Sequence, residues 1–225
     1  MTTDHSDKLI HAATAAPARV MSDEEFQKKS GMLTIAVGET ALLQQLDPTL
    51  RRVLIGVGWD IPGADLSGID IDASLFLLNK NDMTEEDSDF IFYNNTNGRN
   101  GAAEHLGDNR SGAGDGDDEQ IVVHLQDMPF AIMKVAIAIS IHDADMREHS
   151  LMMLRNAYVR LVNRETDVEL IRYPILTEFT DPLASGLIAG MLVREGPTWL
   201  FTPMDEQVRG GLGPIATRYG MMVTG

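Results

Sequence analysis

From residue 32 onward, short apolar segments alternate with groups of turn residues along the chain. In several segments apolar and polar side chains alternate, which is the period-two pattern of a strand with one buried face. Gly, Pro, Asn and Asp collect between the segments, as they do in tight turns. We predict strands at 32–37, 52–59, 69–78, 90–93, 121–125 and 135–141, and hairpins at 158–162 with 168–173 and at 187–194 with 198–202. This spacing predicts a mainly β protein, an antiparallel β-sandwich with a few short helices.

The segment 135–141 has an uneven pattern. Its large β-branched residues fall on one face, and its alanines and serine fall on the other. Such a segment suits a central strand with another element packed closely on its small face. Short helical pieces are predicted at 42–46, 146–154 and 213–219.

The first thirty residues differ from the rest. They are polar and Ala-rich, carry charges of both signs and show no convincing period. A short helix could begin after Ser22, with Glu25 completing a capping box. We therefore divide the chain into a tail or docking arm at 1–30 and a domain at 31–225. A docking arm would allow a homo-oligomer or attachment to a larger complex.

Composition narrows the classes of partner. The chain has 225 residues, with 18 Lys plus Arg against 34 Asp plus Glu, so its formal net charge is −16. Direct binding to nucleic acid or to an anionic membrane needs a basic patch and is therefore not expected. The absence of cysteine excludes disulfides, thiolate metal sites and thiol catalysis. With no secretory signal and no apolar run long enough to span a membrane, we expect a cytoplasmic protein.

An acidic segment at 104–119 carries the most specific chemistry. It holds six carboxylates and four glycines in sixteen residues, so oxygen donors lie on a backbone that bends easily. Calcium takes six to eight such oxygens. Without a cation, two carboxylates about 4–5 Å apart repel by roughly 3–4 kcal/mol at an effective dielectric near 20. The segment therefore predicts a site for a hard cation.

Other strand ends could contribute to the same site. Asp70 and Asp72 lie two residues apart at the start of a predicted strand, so their carboxylates share a face. Asn94 and Asn95 follow another predicted strand. Loops cluster at the ends of a sandwich, and we expect these residues to converge there with the acidic segment.

Two alternative interpretations fit less well. The segment is not an EF-hand, because counting from Asp108 places Arg110, Gly112 and Ala113 where two ligands and a glycine are required. The pair Asp70 and Asp72 is also similar to the Asp-x-Asp motif of magnesium-dependent phosphohydrolases. In that motif the apolar strand precedes the carboxylates. Here the apolar strand follows them.

Several motifs together resemble the TerD family of tellurite-resistance and stress proteins. They are Gly56-Val57-Gly58-Trp59-Asp60, the 69–78 strand, Phe92-Tyr93-Asn94-Asn95, the 104–119 segment, Ile141-His142-Asp143-Ala144, 155–160, and Gly210-Gly211-Leu212 before 218–220. The match covers about 31–220 in family order. The acidic segment combined with the Asp70 and Asp72 strand is its most specific part.

The resemblance implies a β-sandwich that binds calcium, in two or more ions, and has no established enzymatic activity. It also implies a link to tellurite resistance and stress, with protein partners that include membrane-associated stress-complex proteins. Carried over position by position, the implied metal ligands are Asp70, Asp72, Asn94, Asn95, Asp108, Asn109, Asp115, Asp117, Asp118 and Glu119. The long N-terminal extension departs from the family, and it leaves open a derived role as an assembly subunit.

Overall fold

The computed structural model describes residues 19–20, 32–61, 69–108, 116–175 and 179–221, with the backbone alone at 19, 20 and 108. Most of the 1–30 segment, including the helix predicted after Ser22, lies outside these residues. Two seven-stranded sheets contain the described strands. Both sheets are mostly antiparallel, so the predicted fold class is confirmed.

Sheet I contains the closely spaced C-terminal hairpin and the predicted strand 135–141 near its centre. In spatial order its strands are β1 (Arg19–Val20), β3 (Glu39–Leu42), β14 (Thr198–Arg209), β13 (Ala184–Glu195), β10 (Lys134–Ile141), β5 (Ile71–Leu78) and β6 (Phe90–Ile91).

Sheet II contains the other predicted hairpin and both ends of the acidic segment. In spatial order its strands are β2 (Leu33–Thr34), β12 (Val168–Pro174), β11 (Arg155–Asn163), β4 (Arg52–Asp60), β9 (Glu119–His124), β8 (Ala103–Asp108) and β7 (Asn97–Gly98).

Helices are few and short. The α-helices are α1 (Leu43–Leu46), α2 (Ala144–Arg147) and α3 (Leu212–Arg218), and 3-10 turns lie at Asp87–Asp89, Arg99–Gly101 and Leu151–Met153. Among the described residues, no helix is long and apolar enough to cross a membrane.

The main core lies between the two sheets. The inward faces of β5 and β10 contribute alternate residues such as Leu75 and Ile137, and sheet II contributes residues such as Ile55 and Ile121. The alternation places every second residue in this layer, because successive strand side chains point to opposite faces. Burying the whole Leu75 side chain contributes about 2 kcal/mol.

The outer face of sheet I carries a second apolar layer. Ala136 and Ala138 of β10 leave shallow space there, and Ile215 and Ala216 of α3 fill it. The sequence predicted that another element packs on the small face of 135–141, and the structure shows that this element is the helix α3. Gly186 of β13 lies beneath the start of this helix, and a Cβ there would come within 2.8 Å of the Gly211 carbonyl oxygen.

Two short strands near the N-terminus extend the sheet edges. Arg19–Val20 pairs in parallel with β3, with Val20 opposite Thr40. Leu33–Thr34 pairs in parallel with β12 of the other sheet. The described part of the N-terminal arm thus adds a strand to its own domain.

Candidate functional site

One end of the sandwich collects strand ends from both sheets. In sheet I, Ile71 at the start of β5 pairs with Ile141 at the end of β10. In sheet II, Asp108 at the end of β8 pairs with Glu119 at the start of β9. The sheets meet there, because the Glu119 Oε2 atom accepts a hydrogen bond of 2.6 Å from the Ala73 backbone N–H. We call this region, with Asp70, Asp72, Asp108, Asp118 and Glu119, the acidic end.

Asp70 and Asp72 lie at the acidic end at the start of β5. Asp70 is exposed, and its carbonyl oxygen accepts a hydrogen bond of 2.8 Å from the His142 N–H. Asp72 is only 8 % exposed and belongs to the outer face of sheet I, opposite Ser140 of β10. The strand thus holds one of the two carboxylates in a largely enclosed position.

The two asparagines have different environments. Asn94 is exposed and lines a cavity together with Asp72. The Asn95 amide instead donates to the Phe90 carbonyl at 2.6 Å and to the Asp87 carbonyl at 3.1 Å. Asn95 therefore stabilises the turn after β6, and its side-chain oxygen is the only atom left for a ligand.

Asp117 forms the most extensive side-chain contacts of the acidic segment. Arg160 donates to it twice, from Nε to Oδ1 at 2.6 Å and from Nη2 to Oδ2 at 2.8 Å. Tyr158 and Gln120 add hydrogen bonds of 3.1 and 2.9 Å. The carboxylate lies over Gly56 of β4, where any Cβ would overlap it. The structure places Asp117 as an anchor, and a cation contact would have to replace one of these hydrogen bonds.

Asp118 forms a separate contact, with the backbone of β4. Its Oδ2 atom accepts a hydrogen bond of 2.8 Å from the Trp59 N–H. Burial raises the pKa of the Asp118 carboxyl; the Trp59 hydrogen bond opposes this, while the charges of Asp60 and Asp117 raise it further. Negative charge is therefore concentrated where β4 ends and β9 begins.

Glu119 is enclosed between the two sheets. The residue is 1 % exposed, and His105 Nε2 lies 3.2 Å from its Oε2 atom. Its second oxygen, Oε1, is buried without a hydrogen-bond partner among the described residues. An unsatisfied buried acceptor typically costs about 1–3 kcal/mol. A lone pair of this oxygen is therefore available to a metal ion.

The remaining implied ligands cannot be placed. Asn109 and Asp115 lie outside the described residues, and for Asp108 the structure describes the backbone alone. Among the residues that it does describe, no three carboxylate or imidazole side chains are positioned to hold a metal ion. A cation site at the acidic end would therefore need donors from neighbouring segments as well.

Sequence reasoning missed the partners that fix the acidic segment. Tyr158 and Arg160 are 41 and 43 positions from Asp117 in the chain, and no local spacing connects them. His105 is likewise enclosed, at 4 % exposure, beside Glu119. Gly56 was the one sequence signal for this contact, since a glycine within a strand often marks a place where another group approaches the backbone closely.

The fold is a two-sheet β-sandwich in which strand ends of both sheets meet at the acidic end. A model of the TerD domain matches residues 32–219. General stress protein 16U of Bacillus subtilis (strain 168) is 41% identical over 192 residues, which is 85% of this chain and 98% of that protein. The chain therefore belongs to the TerD domain family.

Two further relatives agree with this placement. Tellurium resistance protein TerD of Serratia marcescens is 36% identical over 189 residues, covering 84% of this chain and 97% of that protein. The crystal structure of a homologue of telluride resistance protein TerD from Streptomyces coelicolor A3(2) has a TM-score of 0.57 at 16% identity, covering 76% of this chain and 96% of that one. At that identity the structure supports the fold alone.

Proposed function

We propose that this protein is a non-enzymatic calcium-binding protein of the tellurite-resistance and stress-response type. Calcium at the acidic end would hold the strand ends together and present a surface to a protein partner. The relatives named for tellurium resistance and general stress support the biological setting. The unpartnered Oε1 atom of Glu119 is the observation that carries the calcium site.

The donor chemistry fits calcium. Asp70, Asp72, Asp118 and Glu119 supply carboxylate oxygens from two sheets, and Asn94 supplies an amide oxygen. Calcium accepts such mixed oxygen sets in flexible geometry, whereas magnesium demands a stricter octahedron. Burial is the main cause of the raised pKa of Asp118, and a bound cation would offset the negative charges of Asp60 and Asp117 that add to it. Asn109 and Asp115 remain proposed ligands on the segment between β8 and β9.

A binding role suits this site better than catalysis. His105 has its Nε2 beside Glu119, and the ring is 4 % exposed, so a substrate would have little access to it. General acid–base catalysis requires a titrating group within hydrogen-bond reach of the substrate. The proposed task of the acidic end is therefore to hold ions and order the surrounding backbone.

Substitution of single carboxylates tests the proposed site. Asp72→Asn and Asp118→Asn keep the shape of each side chain and remove its charge. Each variant should weaken calcium binding about tenfold, which removes roughly 1.4 kcal/mol of the stabilisation at saturating calcium. Thermal unfolding of the full chain with and without calcium measures this loss.

Asp167→Asn is the matched control. Asp167 lies in the hairpin turn between β11 and β12 with its side chain 82% exposed, and its φ of 54° is one that Asn also adopts. This variant should keep the full calcium response. Equal responses of all three variants and the parent chain would rule out these carboxylates as ligands.

A second candidate function is assembly through the N-terminal arm. The pairing of Arg19–Val20 with β3 supports it, because the same edge could accept the arm of another copy. The chain has no cysteine, so Val20→Cys with Thr40→Cys creates a single cross-linkable pair. Assembly by exchange predicts disulfide-linked dimers on a non-reducing gel. A cross-linked monomer alone would restrict the arm to its own domain.

A further inference from the structure

A cavity of about 550 Å³ lies on the outer face of sheet I at the acidic end. Three segments surround it: residues 92–94 after β6, residues 142–146 after β10, and residues 210–213 at the start of α3. Its floor includes Asp72, Ser140 and Ser185. Calcium binding between the sheets leaves two of these segments, 142–146 and 210–213, without an assigned role.

Close packing of the backbone fixes one wall of the cavity. Gly211 has a φ of 65°, and its carbonyl oxygen would lie 2.8 Å from a Cβ at Gly186. A side chain at Gly186 would therefore push the 210–213 segment off the sheet. Because both positions are glycine, this segment lies directly on β13 and keeps the cavity in shape.

The lining is acidic and aromatic. Asp72, Asp143 and Asp145 contribute carboxylates, and no Lys or Arg occurs among the described residues that line the cavity. His142 adds an imidazole, whose Nε2 atom lies 3.4 Å from the Asp143 Oδ2 atom. The Phe92 and Tyr93 rings meet edge to face, with centroids 5.2 Å apart. An anion is therefore disfavoured here, and a cation is favoured.

A buried hydroxyl in the lining is also unsatisfied. Ser185 is 1 % exposed, lines the cavity, and its Oγ atom has no hydrogen-bond partner among the described residues. An enclosed hydroxyl without a partner is disfavoured unless another group satisfies it. A ligand that donates hydrogen bonds would supply that partner.

We propose that this cavity binds a small organic cation with an ammonium or guanidinium head group. The head group would lie among Asp72, Asp143 and the Ser185 hydroxyl, and the apolar body would lie against Phe92 and Tyr93. Aromatic faces attract such cations as well as burying their carbon atoms.

Calorimetric titration of the full chain with agmatine in the presence of EDTA tests this proposal. Agmatine carries both an ammonium and a guanidinium group on an aliphatic body, and N-butylurea is a neutral molecule of similar length. Agmatine should bind saturably and N-butylurea should not. Because EDTA removes calcium, the result does not depend on the calcium-binding function.

Two variants locate the bound probe. Asp143 has a φ of 51°, which Asn also tolerates, so Asp143→Asn should fold and bind agmatine about tenfold more weakly. Tyr93→Leu removes the aromatic face and should weaken binding about threefold. Asp167→Asn, at the far hairpin, should bind as the parent chain does. Absence of agmatine binding at millimolar concentration, equal binding of N-butylurea, or unchanged binding by Asp143→Asn and Tyr93→Leu would overturn the proposal.

Discussion

At the scale of single residues, the carboxylates of the acidic segment have separate tasks. Asp117 is held by Arg160 and Tyr158 on the outer face of sheet II, whereas Glu119 points between the sheets. Asp117 precedes β9, which begins at Glu119, so strand alternation does not govern it, and the two carboxylates lie on opposite sides of sheet II. The sequence shows where the acids are concentrated. It does not show that Asp117 is bound by Arg160 while one oxygen of Glu119 has no partner among the described residues.

Gly56 tests the anchoring role of Asp117. A methyl group at this position would overlap the Asp117 carboxylate, so Gly56→Ala should displace it from Arg160. Overpacking of this kind typically costs about 1–3 kcal/mol. For a chain of this size, about 2 kcal/mol lowers the melting temperature by roughly 4–8 °C.

Gly116→Ala is the control for this substitution. Gly116 adjoins Asp117, and nothing lies within 4 Å of a Cβ built there. Its melting temperature should stay within about 1 °C of the parent value. If Gly56→Ala were as stable as Gly116→Ala, the close contact between β4 and Asp117 would not matter for stability.

At the scale of elements, most strands follow the predicted pattern. The segment 69–78 forms β5 at Ile71–Leu78, and both predicted hairpins form β11 with β12 and β13 with β14. Alternation was informative in β11 and β12, where buried and less buried residues alternate, whereas β5 is buried on both faces. The predicted strand at 32–37 shortens to Leu33–Thr34, since only those residues pair with β12.

Two elements were predicted incorrectly. The helix expected at 146–154 is replaced by α2 and a separate 3-10 turn, because Glu148 takes a left-handed φ of 55° that ends α2. The acidic segment was expected to be a loop, yet Glu104–Asp108 continues β8 and Glu119 begins β9. The two ends pair with each other, and β9 also pairs with the distant β4, which local composition does not report.

Glu169 of β12 predicts how the stability of sheet II changes with pH. Burial tends to raise the pKa of its carboxyl, but hydrogen bonds from Arg172 at 2.6 Å and Arg160 at 3.0 Å outweigh it and hold the pKa below the usual range. A depressed carboxyl pKa stabilises the fold above the unfolded-state pKa, near 4.3. That stabilisation is lost as the pH falls through the folded-state pKa.

Glu169→Gln should therefore lower the free energy of unfolding by about 1–2 kcal/mol at pH 7. The difference from the parent chain should shrink as the pH drops below about 4. Urea unfolding across this pH range measures it, with exposed Glu195→Gln as control. A difference that stayed constant with pH would contradict the role of the Arg172 and Arg160 hydrogen bonds.

At the scale of the whole molecule, the fold brings carboxylates from distant parts of the chain to one end of the sandwich. Both sheets direct strand ends to the acidic end, where Asp70, Asp72 and Asp118 lie near the buried Glu119. That these carboxylates share bound ions, as expected from the position of acids beside strands, stays a prediction. The contact of Glu119 with Ala73 needed the packing of one sheet on the other, which no sequence spacing contains.

Calcium binding to the full chain, freed of metal by a chelator, tests the central claim most directly. We predict that calorimetric titration shows saturable binding of two or more calcium ions and weaker binding of magnesium. At free calcium near 100 times the dissociation constant, each site would stabilise the fold by about 2.7 kcal/mol. A titration without calcium binding at millimolar concentration would contradict the account.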